Sequence, residues 1–419
     1  MNGMRRLFEL LVLGGSALIV SGGLLALVLG PERTAVDGNP DWRLVLAISY
    51  VGVALVLLPR YQETLFVMRR NWSLVSLLIL AALSSLWTEM PALVLRKSIG
   101  VFGTTLFGLA LAVRVSFEQQ LRMLRWLFRI LAVLSLACIV LFPRYGISRE
   151  GEWLGVFDYK NALGTAMGLS LLVEWQLPSV TRLSKVLKIL AVLLYAVLLL
   201  NSDSVTPAVA FVGTLVLLNI YKFAALRLRV PLYAFFVIIA ILVSVGLSFV
   251  FANSERIMGL LGRSSNLTGR TEIWSLVISF ILQRPILGYG YSGFWLGAST
   301  ESLVVNRALG GPVMYSHNGY LEMFLTLGVI GFLLTLVLIG AGMKRAFHLS
   351  EQRQLGMELW PLAFLLYFIL HNLGECTILM QQLEWAMCVS CIAGTDLLLL
   401  AYRAEEVAEL PLIPLEELG

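Results

Sequence analysis

Twelve apolar runs dominate this sequence, at about 7–30, 42–59, 72–87, 99–115, 126–142, 161–178, 186–201, 206–220, 231–252, 318–343, 359–375 and 378–401. A helix needs about 20 residues to cross the hydrocarbon core of a bilayer. Twelve such spans use about 240 residues of the 419, which leaves room for short loops and one long one. In lipid no backbone N–H or C=O can go unpaired, so helix is the default for such runs. Charged residues make up 14% of the chain, against roughly a quarter in soluble domains. A soluble globular enzyme, a disordered chain and a disulfide-rich secreted scaffold are excluded. The sequence predicts an all-α polytopic membrane protein with about twelve transmembrane helices.

Basic residues set the orientation. With the N-terminus cytoplasmic, 19 of the 31 Lys and Arg fall inside, among them Arg69, Arg70, Arg125, Arg129, Lys344 and Arg345. Both termini are then cytoplasmic. The net charge of +5 follows these loops and is no nucleic-acid signal. Arg5 and Arg6 precede an apolar run too long for a signal peptide, read as a retained first span. The division is spans 1–9 over 1–252, a periplasmic loop over 253–317, spans 10–12 over 318–401 and a short cytoplasmic tail over 402–419. The loop is far longer than a connection requires, and such loops are functional or disordered. This one is expected to be ordered, because Gly269 precedes a helical stretch from Arg270 to Gln283 that Pro285 ends. No repeat of fixed period is visible. Cys388 and Cys391 form a C-x-x-C inside an apolar run, read as two small buried residues.

Polar residues that spans do not explain gather on the outer face. The tenth run opens Ser316-His317-Asn318-Gly319-Tyr320-Leu321-Glu322. Asn318 or Ser316 suits the helix cap. His317 then sits at the positive end of the helix dipole, which disfavours its charged form and suits a general base. Glu322 lies about one turn into the membrane, where an ionisable residue is a functional candidate by default. Arg256, Arg263, Arg270, Arg284 and Arg307 in the long loop read as an anion site, and Arg270 and Arg284 bracket its helix. Other outer loops supply Trp87 to Pro91 with Arg96 and Lys97, Asp158 to Asn161, Asn201 to Ser204, and Glu375 after His371 and Asn372. Asp396, well inside the last run, has no evident chemical role. Gly288-Tyr289-Gly290 follows a helix rather than a strand, and reads as a turn with close backbone approach.

Only three histidines are present, and no His/Cys/Asp cluster has metal-ligand spacing. There is no P-loop and no G-x-S-x-G elbow. An enzyme here is expected to work outside the cytoplasm with no cofactor, neither metal nor nucleotide.

Three blocks carry a family resemblance. One is Gly269-Arg270-Thr271-Glu272-Ile273-Trp274 followed by Arg284-Pro285-Ile286-Leu287-Gly288-Tyr289-Gly290. The second is His317 to Glu322 with Gly328-Val329-Ile330-Gly331. The third is Trp87 with Pro91 and Arg96-Lys97. Their order and spacing resemble the O-antigen ligase and polymerase superfamily of bacterial envelope glycosyltransferases. Gly155 to Gly164 and the Asn201 to Pro207 stretch, which lacks the arginine many ligases carry there, are more similar to its exopolysaccharide-production subgroup.

The resemblance implies an inner-membrane protein with a periplasm-facing site and a glycan donor on polyprenyl diphosphate. It implies transfer of the donor's anomeric carbon to an acceptor hydroxyl, without ATP. Arg270 and Arg284 would neutralise the leaving diphosphate, with Lys160 and Arg96 as further anion ligands. His317 would take the acceptor proton or donate to the diphosphate. Glu322 and Glu375 would orient His317 or bind sugar hydroxyls. Asn161, Asn318, Tyr320, Glu272 and Asp203 complete the expected substrate-binding set. Three functions stand: repeat-unit polymerase (favoured), ligase onto lipid A–core or protein, and transporter of a lipid-linked glycan. Expected partners are the lipid-linked donor, a glycan or lipid A–core acceptor, membrane lipid, and a chain-length regulator or flippase; no nucleic acid is expected.

Overall fold

The computed structural model describes residues 2–23, 40–223, 266–295, 299–352 and 357–409. Within them the chain is helical almost throughout, with one isolated β-bridge between Ile147 and Trp153 and no strand. The helices are α1 (Asn2–Val20), α2 (Pro40–Leu57), α3 (Tyr61–Arg70), α4 (Trp72–Leu83), α5 (Pro91–Arg114), α6 (Phe117–Leu141) and α7 (Lys160–Gln176). They continue as α8 (Arg182–Asn201), α9 (Val205–Phe223), α10 (Asn266–Gln283), α11 (Thr300–Ala308), α12 (Gly319–Gln352), α13 (Trp360–His371) and α14 (Leu383–Glu409). Among the described residues seven helical stretches are long and apolar enough to cross a membrane, and Trp72–Leu86 and Met357–His371 are shorter apolar helices. The protein is an all-α multi-pass membrane protein. Eleven of the twelve apolar runs coincide with a helix. The run at 231–252, Arg256 and Arg263 lie outside the described residues.

Local chemistry sets the helix ends, and it moves two of them away from the apolar runs. α5 starts at Pro91, eight residues before its run, because proline at the first position gives up an N–H that needs no partner there. α6 starts at Phe117 because Ser116 and Gln119 cap each other's backbone reciprocally. α14 packs most extensively along α5, and also on α12 and α13. Trp360, Phe364, Tyr367, Phe368 and Trp385 are fully buried in this core. Aliphatic residues such as Ile48, Val140 and Leu187 stay exposed on outer helix faces, where lipid tails can cover them.

The tenth run, read as one continuous span over 318–343, is broken. Gly328 has φ 65° and ψ −166°, and α12 changes course there before running on to Gln352. The break releases carbonyls that the segment after α10 takes up. Tyr289 N–H donates to Leu325 O at 3.0 Å and Gly290 N–H to Thr326 O at 2.9 Å, while Val329 N–H donates to Pro285 O at 2.8 Å. A Cβ on residue 328 would lie 2.0 Å from the Ile286 carbonyl oxygen, so only glycine fits. The Trp87 block closes on the same place: Trp87 Nε1 donates to Leu287 O at 3.2 Å, and Ser84 Oγ accepts from Tyr291 N–H at 2.8 Å. Gly288-Tyr289-Gly290 is thus the close-approach turn its composition suggests, with φ +64° and +95° at its glycines.

Candidate functional site

The site begins with the turn after α13. Asn372 is fully buried and uses its whole amide. Its Oδ1 accepts from Thr377 N–H (2.9 Å) and Ile378 N–H (3.1 Å), and its Nδ2 donates to Phe368 O (2.8 Å) and Thr377 Oγ1 (2.8 Å). The start of α12 docks on this turn, because Gly319 N–H is shared between Asn372 O (2.8 Å) and Glu375 O (2.9 Å). Asn318 Oδ1 caps α12 by accepting from Tyr320 and Leu321 N–H, and its Nδ2 donates to Leu373 O. These bonds set His317 beside Glu375.

Glu375 is 5% exposed and stands at the centre. Its Oε1 accepts from Asn161 Nδ2 at 2.9 Å and from the Arg270 guanidinium at 3.1 Å. Its Oε2 faces His317 Nδ1 at 3.8 Å. Burial would raise this carboxyl, but His317 and Arg270 together outweigh it and hold it below the usual carboxylate range. Arg270 also donates to Thr206 Oγ1 at 3.1 Å. Two of its five N–H groups are then used, and its side chain is 25% exposed. His317 has φ +53° and tilts against Tyr315 with centroids 4.5 Å apart. Its Nδ1 is buried with no hydrogen-bond partner.

Glu322 is turned away from this cluster. Both its oxygens accept from Trp295 Nε1 (2.8 and 3.0 Å), and Oε2 accepts from Ser316 N–H at 2.9 Å. Trp274 Nε1 donates to Ser316 O at 2.9 Å. Glu322 and Trp274 therefore hold the residue before His317 from two sides. Lys160 lies next to Asn161 in the chain. It pairs with Glu152 at 2.8 Å and lies 3.9 Å from Asp203, whose φ is +55°.

Arg284 is not brought to Arg270. It pairs with Glu301 at 3.6 Å and lies over the Tyr289 ring at 4.6 Å, in a crevice with Thr88, Glu89 and Ser299. The reason is geometric: α10 begins at Asn266, so Arg270 lies inside it, and a rise of about 1.5 Å per residue from there to Arg284 puts the two roughly 20 Å apart. Arg96 and Glu272 are exposed, and the Tyr320 hydroxyl donates to Ile369 O. Arg307 sits in the last turn of α11.

The sequence names the stretches holding Tyr159 and Thr206 but gives neither residue a role, and it offers no direct signal for Tyr315 or Glu384. Burial, then the neighbouring carboxyls and phenols, pushes the Tyr159 phenol up, and burial and Glu375 do the same to Tyr315. Glu384 was hidden because the last apolar run was drawn from residue 378. The polar Gln381-Gln382-Leu383-Glu384 step marks the true start of α14.

Comparison with known proteins adds a family. Residues 190–336 match the O-antigen ligase family model. A stretch of 106 residues is 35% identical to the exopolysaccharide production protein ExoQ of Rhizobium meliloti, covering 24% of this chain and 24% of ExoQ. Another of 86 residues is 33% identical to a candidate polysaccharide ligase of Rickettsia conorii, covering 20% and 21%. The chain thus spans about a quarter or less of the length of these relatives. Arg270, His317 and Glu322 fall inside the family match, while Asn161 and Glu375 join the site from outside it. The segment 190–336, with the motif blocks it contains, is thus similar to the O-antigen ligase family.

Proposed function

We propose that the protein moves a glycan from polyprenyl diphosphate to an acceptor hydroxyl at the periplasmic face of the bacterial inner membrane. The observation that carries this is the joining of Arg270, Glu375 and His317 from three separate stretches of chain. The acceptor oxygen attacks the donor's anomeric carbon, and the bond from that carbon to the diphosphate oxygen breaks. The electron pair leaves with the diphosphate, which the free N–H groups of Arg270 receive. His317 takes the acceptor proton on Nε2, the nitrogen away from Glu375, whose carboxylate steadies the imidazolium. A single displacement of this kind inverts the anomeric centre. The donor supplies the energy, so the reaction is proposed to need neither metal nor nucleotide.

We favour a polymerase, with lipid-linked repeat units as both donor and acceptor. The arginine-free Asn201 to Pro207 stretch and the similarity to ExoQ support it. Transfer to lipid A–core or protein is the second reading, favoured by the printed names of the family and of the Rickettsia relative. Transport is not favoured: an ionisable residue inside a span, such as Asp396, would suit a transport path, but Asp396 is tied to Arg70 and Arg345. Twelve spans, cytoplasmic termini and the catalytic loop at 253–317 belong to the same proposal. The test is reconstitution of purified protein with polyprenyl-diphosphate-linked repeat units, chelator and no nucleotide. A ladder of products establishes polymerase. Transfer only after lipid A–core is added establishes ligase. Absence of both products would overturn the transferase reading.

A further inference from the structure

Five carboxylates are buried among the described residues: Glu174, Glu322, Glu375, Glu384 and Asp396. Four are held by partners: Glu174 by Arg125 and Arg129, Glu322 by Trp295 and Ser316, Glu375 by Arg270 and Asn161, and Asp396 by Arg70 and Arg345. Glu384 is different. It sits in the first turn of α14, is 8% exposed, and pairs with no side chain among the described residues. A buried carboxylate without a cation or a full set of donors costs several kcal/mol. An ionisable residue kept in such a place is a functional candidate by default.

Its surroundings indicate which ligand. Tyr159 stands two residues before Asn161, which donates to Glu375. Its hydroxyl accepts from Gln382 Nε2 at 3.5 Å. Glu384 therefore adjoins the Arg270 site through Tyr159. On the core side, within reach of Glu384, the Tyr367 hydroxyl is 1% exposed and has no hydrogen-bond partner. A phosphate would be repelled here by two carboxylates, whereas Arg270 attracts it. An uncharged ring with many hydroxyls fits: its O–H groups donate to the carboxylate and its C–H face packs on an aromatic ring.

We infer that Glu384, with Tyr159 and Gln382, forms the subsite for the acceptor sugar, its carboxylate accepting from ring hydroxyls while the donor diphosphate lies towards Arg270. Naming the sugar as the acceptor rests on the glycan-transfer reading above.

The test uses the free repeat-unit oligosaccharide, released by mild acid from the lipid-linked glycan, which carries no diphosphate. It is titrated into the purified full chain and followed by calorimetry. Wild type binds it, and Glu384→Gln binds at least about tenfold more weakly. Glu384→Gln also unfolds at an unchanged or higher temperature, because it removes an unpaired buried charge; a merely structural carboxylate would lower it. Gln382→Ala gives a second, smaller loss of binding. Binding by Glu384→Gln within twofold of wild type, or none by wild type, overturns the subsite. Transfer by wild type is measured separately. If transfer is absent while Glu384-dependent binding persists, the transferase reading fails and the sugar site stands. If transfer is present and binding ignores Glu384, only the subsite fails.

Discussion

At the end of the bundle away from His317, two buried carboxylates are each gripped by two arginines. Asp396 accepts from Arg70 at 2.5 Å and pairs with Arg345 at 3.2 Å, while Asn71 donates to its second oxygen at 2.7 Å. Arg345 also donates to Asn71 Oδ1 at 2.6 Å, closing a ring that ties α12 and α14 to the joint between α3 and α4. Glu174 on α7 pairs with Arg129 at 2.8 Å and Arg125 at 3.3 Å, both on α6. At the His317 end, Glu375 uses the same chemistry but leaves it incomplete. Its imidazole neighbour stops at 3.8 Å, and its arginine keeps free N–H groups. Carboxylates held between two arginines fasten helices, whereas a partly exposed arginine with donors to spare remains available to an incoming anion.

The largest effect that would break this contrast is on turnover. His317→Ala should cut glycan transfer about a thousandfold and Arg270→Ala about a hundredfold, with membrane insertion unchanged. Near-normal transfer by both would show that the open cluster does no chemistry. Asp396→Ala should do the reverse, because it strands two arginines at a buried position. Stability should fall by about 3 kcal/mol, read by unfolding in detergent, while transfer per folded molecule holds. Glu322→Gln lies between the two: it should cost about 1 kcal/mol and slow transfer several-fold by loosening Ser316. A pure stability effect would make Glu322 a fastener like Asp396.

The smallest effect is on pH dependence. The Glu375 carboxyl titrates below its ordinary 4.5 in the folded protein. Its contribution to stability is therefore complete above pH 4.5 and fades as pH falls through the lower folded value. The unfolding-temperature gap between wild type and Glu375→Gln should stay constant at neutral pH and narrow only below about 4.5. A gap that widens on acidification would reverse the assignment.

Hydropathy made the helices legible, because lipid demands long apolar runs and most of these runs are separate. It could not show the break at Gly328, since a glycine between Leu327 and Val329 costs a hydropathy profile nothing. His317 and Arg270 were legible as chemistry-bearing residues, and their meeting at Glu375 was not, because Glu375 lies 105 residues from Arg270. Asp396 looked unexplained for the same reason, its Arg70 partner being 326 residues away. Arg284 misled because bracketing a helix reads as nearness in sequence but means separation in space.

The broken α12 also bears on how this protein can be recombined. The stretch from Pro285 to Gly290 and the one from Leu325 to Val329 exchange three backbone hydrogen bonds, so neither can be replaced without stranding the other's polar groups. A chimaera with a crossover between residues 290 and 325 would join two halves that evolved for different partners. Exchanges with relatives should carry 285–329 as one block, and a library built on that rule should yield far more inserted protein than one cut within it.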